Sequence, residues 1–261
     1  MAKLYFIFLF SAFFLLGCEK SDLNPNYPTV IHKLSARTLA QMKTSFFQKN
    51  KYLITSLNEF GFCDNFRNSG TAESPPLSTI LTQSEAIAII KNFVSQNAAF
   101  TGVNNPNKLT FTQISSSSGY YDGATFWNIR SSFQKINSLD VLSTQIRFLI
   151  KNREIIYCIG NWYPNVYLPK KINISQDKAK SVLLNKVVTH TGIAGQKWYV
   201  TISVADLNKS TIKLLVIPIT TDDRIELHIA WQVNIPGPVH YKIYVDVMTG
   251  KILSEQPTII S

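Results

Sequence analysis

The feature that most constrains this chain is a change of hydrophobic period that happens twice. Thr82-Gln83-Ser84-Glu85 has capping-box spacing, with a hydroxyl placed to accept from the third helical residue and a carboxylate placed to reach back. Ala86, Ile89, Ile90, Phe93 and Val94 follow at helical spacing. From Leu109 to Ile114 the period falls to two, and strand-like runs return at Thr125–Phe133, Val141–Ile150 and Glu154–Gly160. Lys151-Asn152-Arg153 reads as the tight turn between the last two. The plan then repeats. Ser175 caps a stripe of Ala179, Val182, Leu183 and Val187, ahead of strand-like runs at Trp198–Val204, Thr211–Ile219, Glu226–Asn234 and His240–Val247. Met248-Thr249-Gly250-Lys251 is a turn, and Ile252-Leu253 closes the sheet. Each helix has one apolar face and each sheet one core face. The expected fold is therefore α+β: two small domains, 82–168 and 169–261, each a helix packed on an antiparallel sheet.

The amino terminus carries a separate signal. A short basic start, Met1-Ala2-Lys3, precedes an almost unbroken apolar run from Leu4 to Leu16, too short to cross a bilayer comfortably. It closes on Leu15-Leu16-Gly17-Cys18, which resembles the lipobox of bacterial lipoproteins. That resemblance implies a cleaved leader over 1–17 and acylation, palmitate included, of Cys18 at both thiol and amine. Two or more acyl chains hold a protein stably on a membrane without a spanning helix. The expected partner is thus a membrane, through lipid on Cys18, and the expected place is the cell envelope, on the periplasmic or surface face of an outer membrane. Asn24, Pro25, Asn26 and Pro28 make 18–30 a flexible tether within an amino-terminal region spanning 18–81. In that region 35–48 is a candidate amphipathic helix, Tyr52–Phe66 is apolar without a clean period, and Asn68–Ser78 reads as a linker.

Lys and Arg number 26 against 16 Asp and Glu, a formal charge of +10. The basic residues are scattered, with no block of five and no nucleic-acid motif. The charge therefore points to solubility and a mildly cationic face rather than to nucleic acid. Besides Cys18 there are only Cys63 and Cys158. In an oxidising compartment they either pair, tying the amino-terminal region to the first domain, or stay as two buried thiols; sequence is compatible with both.

Several segments resemble the propeptides of thermolysin-type metallopeptidases. Phe133-Gln134-Lys135-Ile136-Asn137-Ser138-Leu139-Asp140-Val141, then Ile146 to Asn152, then Gly160-Asn161-Trp162-Tyr163-Pro164, resemble the first pro-domain, the fungalysin/thermolysin propeptide module. Ile174-Ser175-Gln176-Asp177-Lys178-Ala179, Ala230-Trp231-Gln232-Val233 and Tyr244 to Leu253 resemble the second, a PepSY domain. Together they cover about 82–256 and imply PepSY-like or cystatin-like layers. The turn at Asn137-Ser138-Leu139-Asp140 departs from the family's Gly-Ile-Pro, and Thr191–Arg224 is longer than a PepSY domain needs. His-Glu-x-x-His is absent and the chain ends at Ser261 with no catalytic domain. The resemblance implies a non-enzymatic partner of a protein or peptide, acting as inhibitor or chaperone of a secreted metallopeptidase.

A search for chemistry yields little. His32, His190, His228 and His240 have no second His or Cys at ligand spacing, so neither a metal nor another cofactor is expected. His228 and His240 lie on neighbouring strand-like runs and are candidates for approach. Asp246 reads as a strand-end carboxylate capping the Thr249-Gly250 turn. No Gly-x-Ser-x-Gly anchors a nucleophile, and no residue is expected to be catalytic. Tyr120-Tyr121, in a Ser/Gly-rich loop, are the candidate partner-binding aromatics. A surface adhesion or nutrient-capture lipoprotein, binding glycans or peptides, is the alternative function.

Overall fold

The computed structural model describes residues 24–50, 53–67, 81–118, 125–151, 153–191, 195–237 and 240–258. In chain order the elements begin with β1 (Thr29–His32), α1 (Ala36–Asn50), β2 (Leu53–Leu57), β3 (Cys63–Arg67), α2 (Gln83–Gln96) and α3 (Ala98–Thr101). Next come β4 (Phe111–Ser118), β5 (Thr125–Ser131), β6 (Gln134–Ile136), β7 (Leu139–Val141), β8 (Arg147–Lys151) and β9 (Glu154–Ile159). The rest are α4 (Gln176–Ser181), β10 (Val187–Thr191), β11 (Lys197–Thr201), α5 (Val204–Lys209), β12 (Thr211–Thr220), β13 (Arg224–Ile235), β14 (His240–Asp246) and β15 (Ile252–Thr258). The class is α+β, with helices laid on antiparallel sheets.

The first sheet runs β2-β3-β9-β8-β5-β4. Helix α2 covers it with Ala86, Ile90, Phe93 and Val94, which pack with Ile129, Phe148, Ile150 and Ile155. The capping box forms as its spacing predicts: Thr82 Oγ1 accepts from Glu85 N, and Thr82 N donates to Glu85 Oε2 at 2.9 Å. Arg153, in the β8–β9 turn, closes on Glu85 Oε1 at 2.7 Å. These hydrogen bonds, Thr82's first and then Arg153's, hold the Glu85 carboxyl down at about 2. Helix α1 adds Phe46, edge-on to Phe100 with ring centroids 4.6 Å apart.

The second sheet runs β15-β14-β13-β12-β7-β6, and β1 pairs antiparallel with β13. Helix α4 lays Ala179 on it, against a core that includes Leu183, Val233, Ile243 and Val245. The strand pairing crosses position 168. The β6–β7 hairpin precedes that position, yet β7 lies parallel to β12 at Val141↔Val216. A shared core joins Phe60, Phe62 and Tyr163 to Val216, Leu227 and Ile229. The expected tether, 18–30, runs into β1: Thr29 and Val30 are already strand, because the backbone of Thr29–His32 completes the exposed half of β13.

Two details settle the doubtful hairpin. In place of Gly-Ile-Pro, Asn137 and Ser138 both take positive φ, 46° and 70°, between the paired residues Ile136 and Leu139. That is the two-residue primed turn that matches strand twist. Gln134, buried at its start, clasps the Gly160–Pro164 signature: its Nε2 donates to Tyr163 O at 2.6 Å and its Oε1 accepts from Tyr163 N at 3.0 Å. Gly160 belongs to the same joint, with φ 133° and the Gln145 carbonyl oxygen 2.2 Å from where a Cβ would stand.

Other expectations shift. Val141–Ile150 is broken into β7 and β8, with Ser143 at φ 60° between them. The helix of the second half stops at Ser181, because Asn185 turns left-handed at φ 62°, and Val187 opens a strand. Ser115–Ser118 extends β4 rather than looping, in register with β5. The expected linker at 68–78 lies outside the described residues.

Replacing Ser138 with Gly removes the left-handed penalty of an L-residue, about 1–2 kcal/mol, less a glycine entropy cost of about 0.5–1 kcal/mol. The urea midpoint of S138G is expected to rise slightly. Gln134→Ala orphans two buried backbone groups and is expected to lower stability by about 1–3 kcal/mol for each, read in the same titration.

Candidate functional site

The residues singled out in the sequence are placed unevenly. Cys18, Tyr120 and Tyr121 lie outside the described residues. Cys63 and Cys158 are both buried in the core under α2, as thiols. Burial pushes the Cys158 thiol well up, and the nearby Cys63 adds to this. His228 and His240 do not meet. In the β13–β14 register Ala230 faces Asp246 and Ile235 faces Tyr241, so the two rings sit toward opposite ends of the pair.

His228 has other partners. Successive even residues of β13 share a face, so Arg224, Glu226 and His228 form a row. His228 Nδ1 lies 3.0 Å from Asp246 Oδ2, and its Nε2 lies 2.9 Å from Glu226 Oε2. Arg224 Nε donates to Glu226 Oε1 at 2.7 Å. Asp246 caps the turn as its sequence suggests, with Oδ1 accepting from Met248 N at 2.9 Å, Thr249 N at 2.7 Å and Thr249 Oγ1 at 2.9 Å. Burial alone would lower the His228 pKa, but the hydrogen bonds and charges of Asp246 and Glu226 outweigh it and the net shift is upward. Burial likewise opposes ionisation of Asp246, yet His228 and the turn hold its carboxyl below the ordinary value.

Tyr27 closes the cluster. Its ring stands edge-on to His228, and its hydroxyl accepts from Ile229 N at 2.9 Å. Burial, against the Ile229 hydrogen bond and with help from Asp246, pushes its pKa up to about 12. Both ring nitrogens of His228 and both oxygens of Asp246 are thus engaged, and among the described residues no Ser, Thr or Cys hydrogen-bonds the imidazole. The arrangement is a hydrogen-bonded row, Arg224-Glu226-His228-Asp246. What it does physically is latch the segment carrying Tyr27 and β1 onto the second sheet, assisted by Asn24 Nδ2 on Leu168 O and by Tyr167 N on Thr29 Oγ1 at 2.7 Å.

A different surface offers itself to partners. β10 and β11 form a two-stranded ribbon that joins neither large sheet. Its root is held by Asn185 N on Ile202 O and Ile202 N on Lys186 O, each at 2.9 Å, and by buried Val188 and Ile202. Beyond the root, all five residues of β11 are exposed. Tyr199 is 68% exposed and Trp198 48%, and exposed Leu184, Val187, Val200 and Val204 surround them. The His190 ring stacks on Trp198 with centroids 5.4 Å apart. Sequence reasoning missed this surface. Lys197-Trp198-Tyr199-Val200-Thr201 has the composition of an ordinary half-buried strand, and only its lack of a third neighbour leaves it bare.

No protein family's sequence profile matches the chain, and no curated protein does. Among solved structures, the chain is similar to the Bacillus megaterium YpeB C-terminal domain, at 10% identity and a TM-score of 0.33, over 87% of this chain and 99% of that one. It is also similar to a protein of Clostridium difficile 630 described as a candidate lipoprotein, at 9% identity and a TM-score of 0.20, over 71% and 99% of the two chains. Likenesses this weak decide neither family nor function.

The latch has a pH dependence of definite sign. The His228 pKa is raised above its ordinary 6.5, so its contribution is complete below that value and is lost as pH rises through the folded-state pKa. Asp246 and Glu226 are depressed, so theirs is present above 3.8 and 4.5 and is lost only as pH falls through their lower folded values. The melting temperature is expected to fall from about pH 6 to pH 8.5, with a shallower fall in His228→Gln. A thermal series at constant ionic strength measures both slopes.

Proposed function

We propose that this chain is a membrane-tethered, non-enzymatic binding protein of the cell envelope that engages a protein or peptide partner along β11. The observation that carries this reading is the bare ribbon. Natural sheets blunt their edges with proline, inward charges, bulges or covering elements. Here a five-residue edge strand shows two aromatics and one lysine, and among the described residues nothing covers it. An extended segment added to that edge gains main-chain hydrogen bonds, and Trp198 and Tyr199 supply the anchoring contact area.

The tether follows from the lipobox-like Leu15-Leu16-Gly17-Cys18 ending, with lipid on Cys18. No described helix is long and apolar enough to cross a membrane. A secreted metallopeptidase is the partner class that the propeptide-like segments support, with the chain restraining or assisting it in trans. The reading without enzymatic activity draws on the His228 cluster, whose polar atoms are spent on holding the fold together.

The test places a photo-crosslinking residue at position 199 of the full chain in its native envelope. The expected product joins the chain to a secreted peptidase, and that purified peptidase is slowed by added chain. Trp198→Ala combined with Tyr199→Ser is expected to weaken both effects by at least about tenfold, the loss of one good aromatic anchor. Crosslinking no stronger than at an exposed control position on β4 would refute the ribbon as the binding surface.

A further inference from the structure

At the end of the second sheet farthest from β1 lies a cavity of about 480 Å³. Lys209, Lys213 and Lys242 line it from α5, β12 and β14, the last two opposite Gln232 and Asn234 on one face of the sheet, and no carboxylate lines it. The nearest acid paired to any of them is Asp140, whose Oδ2 is 4.0 Å from Lys213 Nζ, at the limit of an ion pair, and whose Oδ1 is held at 3.1 Å by Lys135. Three cationic side chains lining one hollow without a carboxylate give it a positive potential that favours an anion.

The cavity floor is arranged to donate. Gln232, buried at 6% exposure, gives its Nε2 hydrogen to Asn234 Oδ1 at 2.6 Å. Asn234 Nδ2 in turn donates to Thr211 Oγ1 at 2.9 Å. The chain of bonds ends on a hydroxyl that already accepts, so its own hydrogen is available to a ligand.

We propose that this cavity binds a phosphate group. Tetrahedral oxygens accept from several directions at once, and the negative charge matches the three lysines. The cavity volume lies in the range of small-ligand sites. The phosphate has two sources, free inorganic phosphate or the diester headgroup of an anionic phospholipid. The site stands apart from the ribbon and does not depend on the proposed partner.

Calorimetric titration of the full chain in a neutral detergent tests this at constant ionic strength, with inorganic phosphate and with glycerophosphoglycerol as separate probes. Binding of phosphate alone assigns a free-phosphate site; binding of the diester assigns a lipid-headgroup site; either supports the proposal. The triple variant K209Q/K213Q/K242Q is expected to bind at least about tenfold more weakly. Thr211→Val, which removes the hydroxyl at the end of the hydrogen-bond chain, is expected to weaken phosphate binding about threefold or more, read in the same titration. Absence of heat with both probes, equal heat from the triple variant, or binding only of a tetraglutamate peptide would overturn the proposal.

Discussion

The structure depends on how the edge of β13 is shared. One edge is paired with β12 over ten residues, from Thr211↔Asn234 to Thr220↔Ile225. The other is divided: β1 takes Arg224–Leu227 and β14 takes Ala230–Ile235. At the handover the chain must satisfy His228 and Ile229, which belong to neither ladder. Val247 N donates to Ile229 O at 3.1 Å, and the Tyr27 hydroxyl accepts from Ile229 N. Asp246 terminates β14, shapes the turn into β15 and fixes His228 with its second oxygen. One carboxylate thus sets the place where an early strand and a late strand meet on the same neighbour. Removing it would leave His228 Nδ1 without its partner as well as loosening the turn.

This sharing changes what the amino terminus is. The chain is fixed from Asn24 onward, by its own side chain on Leu168 O and then by β1. If Cys18 bears lipid, only the six steps from Cys18 to Asn24 separate membrane from sheet, a reach of about 20 Å at full extension. The anchored end of the molecule is then the Arg224 end of β13.

Much of this was legible in the sequence where a local rule and the tertiary environment agree. The Thr82–Glu85 box, the α2 stripe, the long strands β12, β13 and β14, and the Asp246 turn all follow from residue type and spacing. The failures have physical causes. β2 and β3 lack a clean period because their pairing slips at Ser56, where register shifts flank the residue. The serines of β4 have low strand preference, and cross-strand pairing to Phe126 and Trp127 overrides it. Val187 completes a helical stripe by spacing alone, but Asn185 in the left-handed region ends the helix first. β1 and β7 are too short to show a period, and their partners lie far along the chain. The cavity was invisible for a related reason: Lys209, Lys213 and Lys242 are scattered in sequence and gather only through the register of β12, β13 and β14.

The ribbon and the cavity lie on either side of one short helix. Ribbon β11 runs through Ile202 into α5, whose capping box Ser203–Asp206 starts the helix and whose last residue, Lys209, lines the cavity. Leu207 of α5 shares a core with Val188 and Ile202 at the ribbon root and with Tyr241 at the cavity. An anion that draws Lys209 inward therefore bears on the same short helix that seats the ribbon. From Leu227, beside β1, to Ile235, beside the cavity, β13 advances eight residues, roughly 26 Å. A molecule standing on its anchored end holds ribbon and cavity out in solvent, where a secreted partner and free phosphate are met. A molecule lying along the bilayer instead brings the three lysines into the headgroup layer. The chemistry of the cavity is the same in both postures, so for a chain anchored through Cys18 the choice between phosphate and diester would report its posture.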